Sequence, residues 1–266
     1  MDPVIAGVVP WWNTWWVALP VWTAAGIAGM ALAARRRISP PPPPLCEGVE
    51  MDGGHLEGID YVELRSGKAG AELTLPMLVV LHGGSLTAAG IGNLAATGIP
   101  VKARVIAPSG FYVTPGDDGE GHATWTDPSG EMPLREDASQ LASFLEQIRR
   151  CRPTVGKPVI AGYDEGADLA YLLAVQHPDL VDSVVMAGGM PDLVAGLPAA
   201  PVRGLHGQKD EVYPYDEARD AYHELIASGA PVHFLRMFGV GHSFAGALQI
   251  KLWQEASRAL AALGES

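Results

Sequence analysis

From Gly58 onward, short apolar runs alternate with longer segments of helical periodicity, and that alternation limits the fold more than any other feature of the chain. Residues 59–64 (Ile-Asp-Tyr-Val-Glu-Leu) alternate between apolar and polar side chains, as a half-buried strand does. Residues 77–81 (Met-Leu-Val-Val-Leu) are continuously apolar and predict a strand covered on both faces. Further strands are expected at 103–107, 158–161, 181–187, 202–205 and 232–235. Between them, helices are expected at 86–96, 134–150, from 167 to about His177, 218–227 and 244–263. Residues 110–132 carry many glycines, prolines and acidic side chains and read as one long loop, of the kind that often lines a cleft. Strands that alternate with helices imply an α/β domain with a mostly parallel sheet and helices on both faces. Ligands bind such sheets at the carboxyl ends of the strands.

The first part of the chain is different in kind. No charged side chain occurs from Pro3 to Ala34, and the stretch from Trp15 to Ala34 is long enough for a hydrocarbon core of roughly 30 Å. Trp11, Trp12, Trp15, Trp16 and Trp22 crowd its start like an interfacial belt, and Arg35-Arg36-Arg37 closes its end. Asp2 and the position of the arginines argue against a cleaved signal peptide, which begins with a basic segment. The expectation is a single-pass membrane anchor over 1–37, with the amino terminus outside and the remaining chain cytoplasmic. Residues 38–57, containing Pro40 to Pro44, read as a stiff linker, and 58–266 as the α/β domain. Cys46 and Cys151 are the only cysteines, and their spacing suggests neither a metal site nor a disulfide framework. Two reduced thiols are expected, in line with a cytoplasmic domain.

The net charge is −12, and it is more negative still once the three juxtamembrane arginines are set aside. Such a surface repels nucleic acid and disfavours broad contact with anionic lipid. No glycine-rich phosphate loop or calcium-loop spacing is present, so neither a metal nor an organic cofactor is expected. The expected partners are a small-molecule substrate and, through the N-terminal helix, the membrane.

Four short motifs stand at the ends of expected strands: Leu81-His82-Gly83-Gly84, Gly162-Tyr163-Asp164-Glu165-Gly166, a run from His206 through Asp210 to Pro214, and Gly241-His242-Ser243. The second has the frame of a nucleophile elbow, in which glycines let the chain turn sharply from strand to helix. In this order the motifs resemble the α/β-hydrolase superfamily over about 59–263. The nearest likeness is to its small cap-less members, of the phospholipase/carboxylesterase or dienelactone-hydrolase-like type. That resemblance implies a nucleophile position at Asp164, a histidine-orienting acid at Asp210 and a base at His242. It also implies oxyanion donors at the backbone N–H groups of Gly84 and Glu165. An imidazole oriented by a carboxylate exchanges protons near neutrality, which is why those residue types suit hydrolysis. Ser85, Trp125 and Tyr213 are candidate pocket residues.

Asp164 departs from the pattern, because serine usually holds that position. An aspartate attacking an ester carbonyl would form a mixed anhydride, an uphill intermediate. A carboxylate is better suited to displacement at saturated carbon, as in epoxide or carbon–halide hydrolysis, with His242 activating water against the resulting ester. Epoxide hydrolases and haloalkane dehalogenases carry aspartate there, but they usually insert a cap, and only residues 188–201 are available for one. Three readings stay open. The chain is an esterase-like hydrolase of small or lipid-derived substrates, with Asp164 activating water or acting as nucleophile; or a non-catalytic binding or scaffolding protein that has lost the serine; or a serine esterase with an altered elbow. His82 and His206 are expected to be structural, and Asp168, one helical turn after Asp164, is expected to face solvent or an arginine.

Overall fold

The computed structural model describes residues 53–70, 74–115, 121–130 and 132–264. The expected anchor and the Pro40–Pro44 spacer lie outside these residues. Among the described residues, no helix is long and apolar enough to cross a membrane.

Ten strands and five helices follow one another along the described chain. They are β1 (Gly53–Leu56), β2 (Ile59–Ser66), β3 (Met77–Leu81), α1 (Ala88–Gly98), β4 (Ala103–Pro108), β5 (Tyr112–Pro115) and β6 (Gly121–Thr124). After these come α2 (Leu134–Cys151), β7 (Val159–Tyr163), α3 (Glu165–Gln176), β8 (Ser183–Ala187), β9 (Val202–Lys209), α4 (Tyr215–Ala227), β10 (Val232–Gly241) and α5 (Ala247–Gly264). Eight strands form one sheet in the order β1-β2-β4-β3-β7-β8-β9-β10. β1–β2 and β2–β4 pair antiparallel, and every pairing from β4 across to β10 is parallel.

The period-2 geometry of a strand sends alternate side chains to opposite faces, and here both faces are covered. Met77, Val79, Leu81, Ile106, Ile160, Val184 and Met186 enter one core with α2, α3 and the Tyr222 and Leu225 side chains of α4. Leu78, Val80, Val105, Val159, Ala161 and Val185 enter the other, with Ile91 and Ala95 of α1 and Leu248, Leu252, Trp253 and Leu260 of α5. This two-sided burial is why β3 is apolar throughout. β3 leads through α1 to β4 on one side and has β7 on the other, so the order of the sheet reverses between β3 and β7. That switch point is where an open α/β sheet presents its crevice.

Several expectations change. Residues 110–132 are not one loop, because Tyr112–Pro115 and Gly121–Thr124 pair antiparallel as a separate hairpin. The segment read as linker contains β1, whose Gly53 pairs with Val62 across the first hairpin. Cys151 is disulfide-bonded, and no described cysteine is free. That overturns the expectation of two reduced thiols; Cys46, the only other cysteine, lies outside the described residues.

Candidate active site

The tip of the elbow is Asp164, between β7 and α3, with φ 57° and ψ −132°. A side-chain-bearing residue in this region carries strain of about 1–3 kcal/mol, which persists only where neighbours enforce it. They do so here through the Asp164 N–H on Ala187 O (3.0 Å) and the Ala167 N–H on Asp164 O (2.8 Å). The two glycines of the frame are needed for close approach. A Cβ on Gly162 would lie 2.2 Å from the carbonyl oxygen of Gly166, and one on Gly166 would lie 2.5 Å from that of His82. β7 and α3 therefore pack backbone to backbone, and α3 presses directly on the end of β3.

The end of β3 supplies the next wall. His82 is fully buried and accepts from the Gly110 N–H at Nε2 (3.0 Å), which leaves its Nδ1–H facing Gly83 O (3.0 Å). Burial pushes its pKa down, so the ring is a neutral brace. Gly83 admits the elbow, since a Cβ there would meet the Asp164 Cβ at 2.6 Å. The N–H of Gly84 then donates to Oδ2 of Asp164 at 3.3 Å. Glu165 is the first residue of α3, where a backbone N–H has no partner inside its own helix. Its side chain turns to the hairpin, with Oε2 accepting from Thr124 Oγ1 (2.6 Å), Thr126 Oγ1 (3.0 Å) and Thr126 N–H (3.3 Å).

His242 follows β10 and stands between two carboxylates. Its Nδ1 lies 3.0 Å from Oδ2 of Asp210, and its Nε2 lies 3.5 Å from Oδ1 of Asp164. The Asp210 side chain is wholly buried and also accepts from the N–H groups of Val212 (3.0 Å) and Tyr213 (2.9 Å) through Oδ1. These bonds fix its direction. The hydrogen bond to Asp164, and then that to Asp210, raise the pKa of His242 against the opposing effect of burial. Both carboxylates favour the charged form of the ring more than water does. His206 is buried beneath, with Nε2 on the Tyr213 carbonyl at 2.8 Å.

Asp164, Asp210, His242, Gly84 and Glu165 are therefore gathered at one point. Ser85 is exposed on the loop beside Gly84. Trp125 is fully buried: it donates from Nε1 to His82 O (2.8 Å) and packs on the His82 and Phe111 rings, so it braces the loop after β3. Tyr213 stacks on His242, with ring centroids 5.7 Å apart. Asp168 is half-buried and meets neutral donors instead of an arginine: it accepts from the Met190 N–H (2.7 Å) and the Tyr213 hydroxyl (2.8 Å). Its spacing from Asp164 was the available signal, since residues four apart share a helix face and Asp164 faces the site. Among the described residues, no group of three His, Cys, Asp or Glu side chains is arranged to hold a metal ion.

Residues 116–262, more than half of the chain, match the dienelactone hydrolase family. The chain belongs to that family. A curated relative, "Putative carboxymethylenebutenolidase" of Aquifex aeolicus (strain VF5), is 31% identical over 104 residues. That match spans 38% of this chain and 45% of the relative, less than half of the relative's length. Among solved structures, Zea mays acyl-protein thioesterase 2 aligns with a TM-score of 0.57 at 18% identity, over 75% of this chain and 98% of its own. The Bacillus cereus carboxylesterase aligns with a TM-score of 0.58 at 18% identity, over 78% and 94%. These likenesses establish the α/β-hydrolase fold. In this family member only residues 188–201 separate β8 from β9, and no helix or strand interrupts them.

Proposed function

We propose that this dienelactone hydrolase family member is an esterase-like hydrolase that cleaves a small or lipid-derived ester or lactone by activating water between Asp164 and His242. The observation that carries the reading is the position of His242, 3.0 Å from Asp210 and 3.5 Å from Asp164, two carboxylates that both raise its pKa. A carboxylate and an imidazolium side by side make a base and an acid, and hydrolysis needs one of each. Water adds to the substrate carbonyl carbon while Asp164 takes a water proton. The oxyanion rests on the N–H groups of Gly84 and Glu165. The carbon–oxygen bond to the leaving group then breaks as His242 Nε2 gives up its proton to the departing oxygen. Proton transfer from Asp164 to His242 restores the resting site. This route avoids the mixed anhydride that direct attack by Asp164 on a carbonyl would form. Tethering through residues 15–34 would hold the domain near lipid-derived substrates.

A second reading has its own support. Oδ2 of Asp164 already takes the Gly84 N–H, so the protein's own carboxylate occupies a donor that a substrate oxygen would need. That suits a non-catalytic binding protein. Short p-nitrophenyl esters and a simple lactone, tested on the parent, His242→Ala, Asp164→Asn and Asp164→Ser, separate the two. Hydrolysis by the parent should fall about 100-fold or more in the first two variants. Asp164→Ser should switch the ester reaction to an acyl-enzyme route with a burst. A parent rate that matches the His242→Ala rate overturns the enzymatic reading.

A further inference from the structure

Tyr213 is held from four sides. Its N–H donates to Asp210 Oδ1 (2.9 Å), its carbonyl faces His206 Nε2 (2.8 Å), its hydroxyl meets Asp168 Oδ2 (2.8 Å), and its ring lies at 29° to that of His242. The other oxygen of Asp168 takes the Met190 N–H at 2.7 Å, which ties the start of the segment after β8 to the elbow helix. Gly189 makes room for this, because a Cβ there would stand 2.6 Å from Asp168 Oδ1. Tyr163 lies against the His242 ring as well, with centroids 5.3 Å apart and the planes at 31°.

We infer that Asp168 and Tyr213 form a clamp, a pair of positioning residues that holds His242 in line between Asp210 and Asp164. The inference rests on the proposed role of His242, but the clamp itself is a property of the resting protein.

Asp168 is an uneconomical choice for mere packing. Both oxygens meet neutral donors, and a partly buried carboxylate without a compensating charge is costly. Burial is the main cause that pushes its pKa up to about 7, with Asp164 at the elbow and Glu165 on the same helix adding to the rise. The Met190 N–H and the Tyr213 hydroxyl pull the other way. What this placement achieves is reach: a single side chain on α3 spans to the loop after β9, which carries both Tyr213 and Asp210. The hydroxyl bond to Asp168 fixes the far end of the tyrosine ring, as the backbone bonds of Tyr213 fix the near end, so the ring stays beside His242. Release of the hydroxyl frees the ring to swing about its Cα–Cβ bond, and His242 then loses one wall of its slot.

The test uses the full chain and reads the His242 ring by nuclear magnetic resonance, its signals assigned from the His242→Ala spectrum. Tyr213→Phe removes one oxygen and keeps the ring, so it is not expected to threaten folding. In Tyr213→Phe the His242 titration midpoint should fall toward 6.5, and the ring signals should broaden. Asp168→Ala should produce the same change, and the double variant no more than either alone, because the two residues act as one unit. With substrate, kcat should fall about tenfold while KM changes less than about threefold. A folded Tyr213→Phe protein with an unshifted His242 midpoint and sharp ring signals overturns the clamp, as does an additive double variant. If the parent hydrolyses nothing, the resonance measurements still decide the clamp, and the proposed activity fails separately.

Discussion

His242 is the residue on which charge and geometry meet most directly. Its raised pKa comes first from the hydrogen bond to Asp164 and next from Asp210, while burial opposes both. Replacing Asp164 with Asn removes the larger favourable cause, so the His242 midpoint should drop while the Asp210 contact keeps the ring in place. A titration of the ring protons in both proteins checks this, and an unchanged midpoint would mean that Asp164 does not face Nε2 in solution. Stability follows with a definite sign. The folded pKa lies above the unfolded value of about 6.5, so the folded state binds the proton more tightly. The contribution is complete below the unfolded pKa and is lost as pH rises through the folded one. Denaturation midpoints of the parent and Asp164→Asn should therefore converge at high pH. The grouping of Asp164, Asp210 and His242 was legible through the short motifs that carry them, each of which directly follows a strand, β7, β9 and β10. Asp168 and Thr124 escaped because helix-face and hairpin contacts carry no signature beyond spacing.

At the scale of elements, the central strands were readable because burial on both faces leaves no place for polar side chains, as in Met77–Leu81. The edges were not. β1 is Gly-Gly-His-Leu and owes its conformation to pairing with β2, a contact invisible in its own composition. β10 runs past Leu235 to Gly241 because Arg236 and Met237 continue to pair with β9, and an irregularity then brings Gly241 opposite Lys209. An internal charge at the β2 edge is a sharper test of how these elements hold together. Glu63 is buried on β2 and meets Arg104 of the adjacent β4, while its other oxygen takes Arg152 Nε just past the end of α2 at 2.7 Å. One carboxylate thereby joins two strands and a helix end. Glu63→Ala leaves the buried Arg104 without its Glu63 partner, and breaking a buried ion pair from one side costs about 3–5 kcal/mol. Urea unfolding should register a loss of that size; a change below about 1 kcal/mol would show that solvent reaches Arg104 once Glu63 is gone.

For the whole molecule, the decisive covalent feature is the disulfide at Cys151, on the last residue of α2. Disulfides persist in oxidising compartments and are rare in the cytosol. The run Arg35-Arg36-Arg37 favours a cytoplasmic domain, so the two signals oppose each other. A covalent bond at Cys151 bears on the compartment where that residue's domain matures, whereas a basic run biases insertion only statistically. We therefore expect this domain to mature in an oxidising compartment. The acidic charge of the chain is compatible with either side, since it governs solubility and steering rather than insertion. In intact cells, a membrane-impermeant maleimide should label the chain only after reduction, and non-reducing electrophoresis should show a compact, faster species that reduction abolishes. Cys151→Ser should lower stability by about 2–5 kcal/mol, the usual cost of losing a native disulfide. Thiols that react only after the cells are opened, without any reductant, would return the domain to the cytoplasm. The cross-link would then form only on exposure to air, and Cys151→Ser would leave the stability of the freshly isolated, reduced protein unchanged.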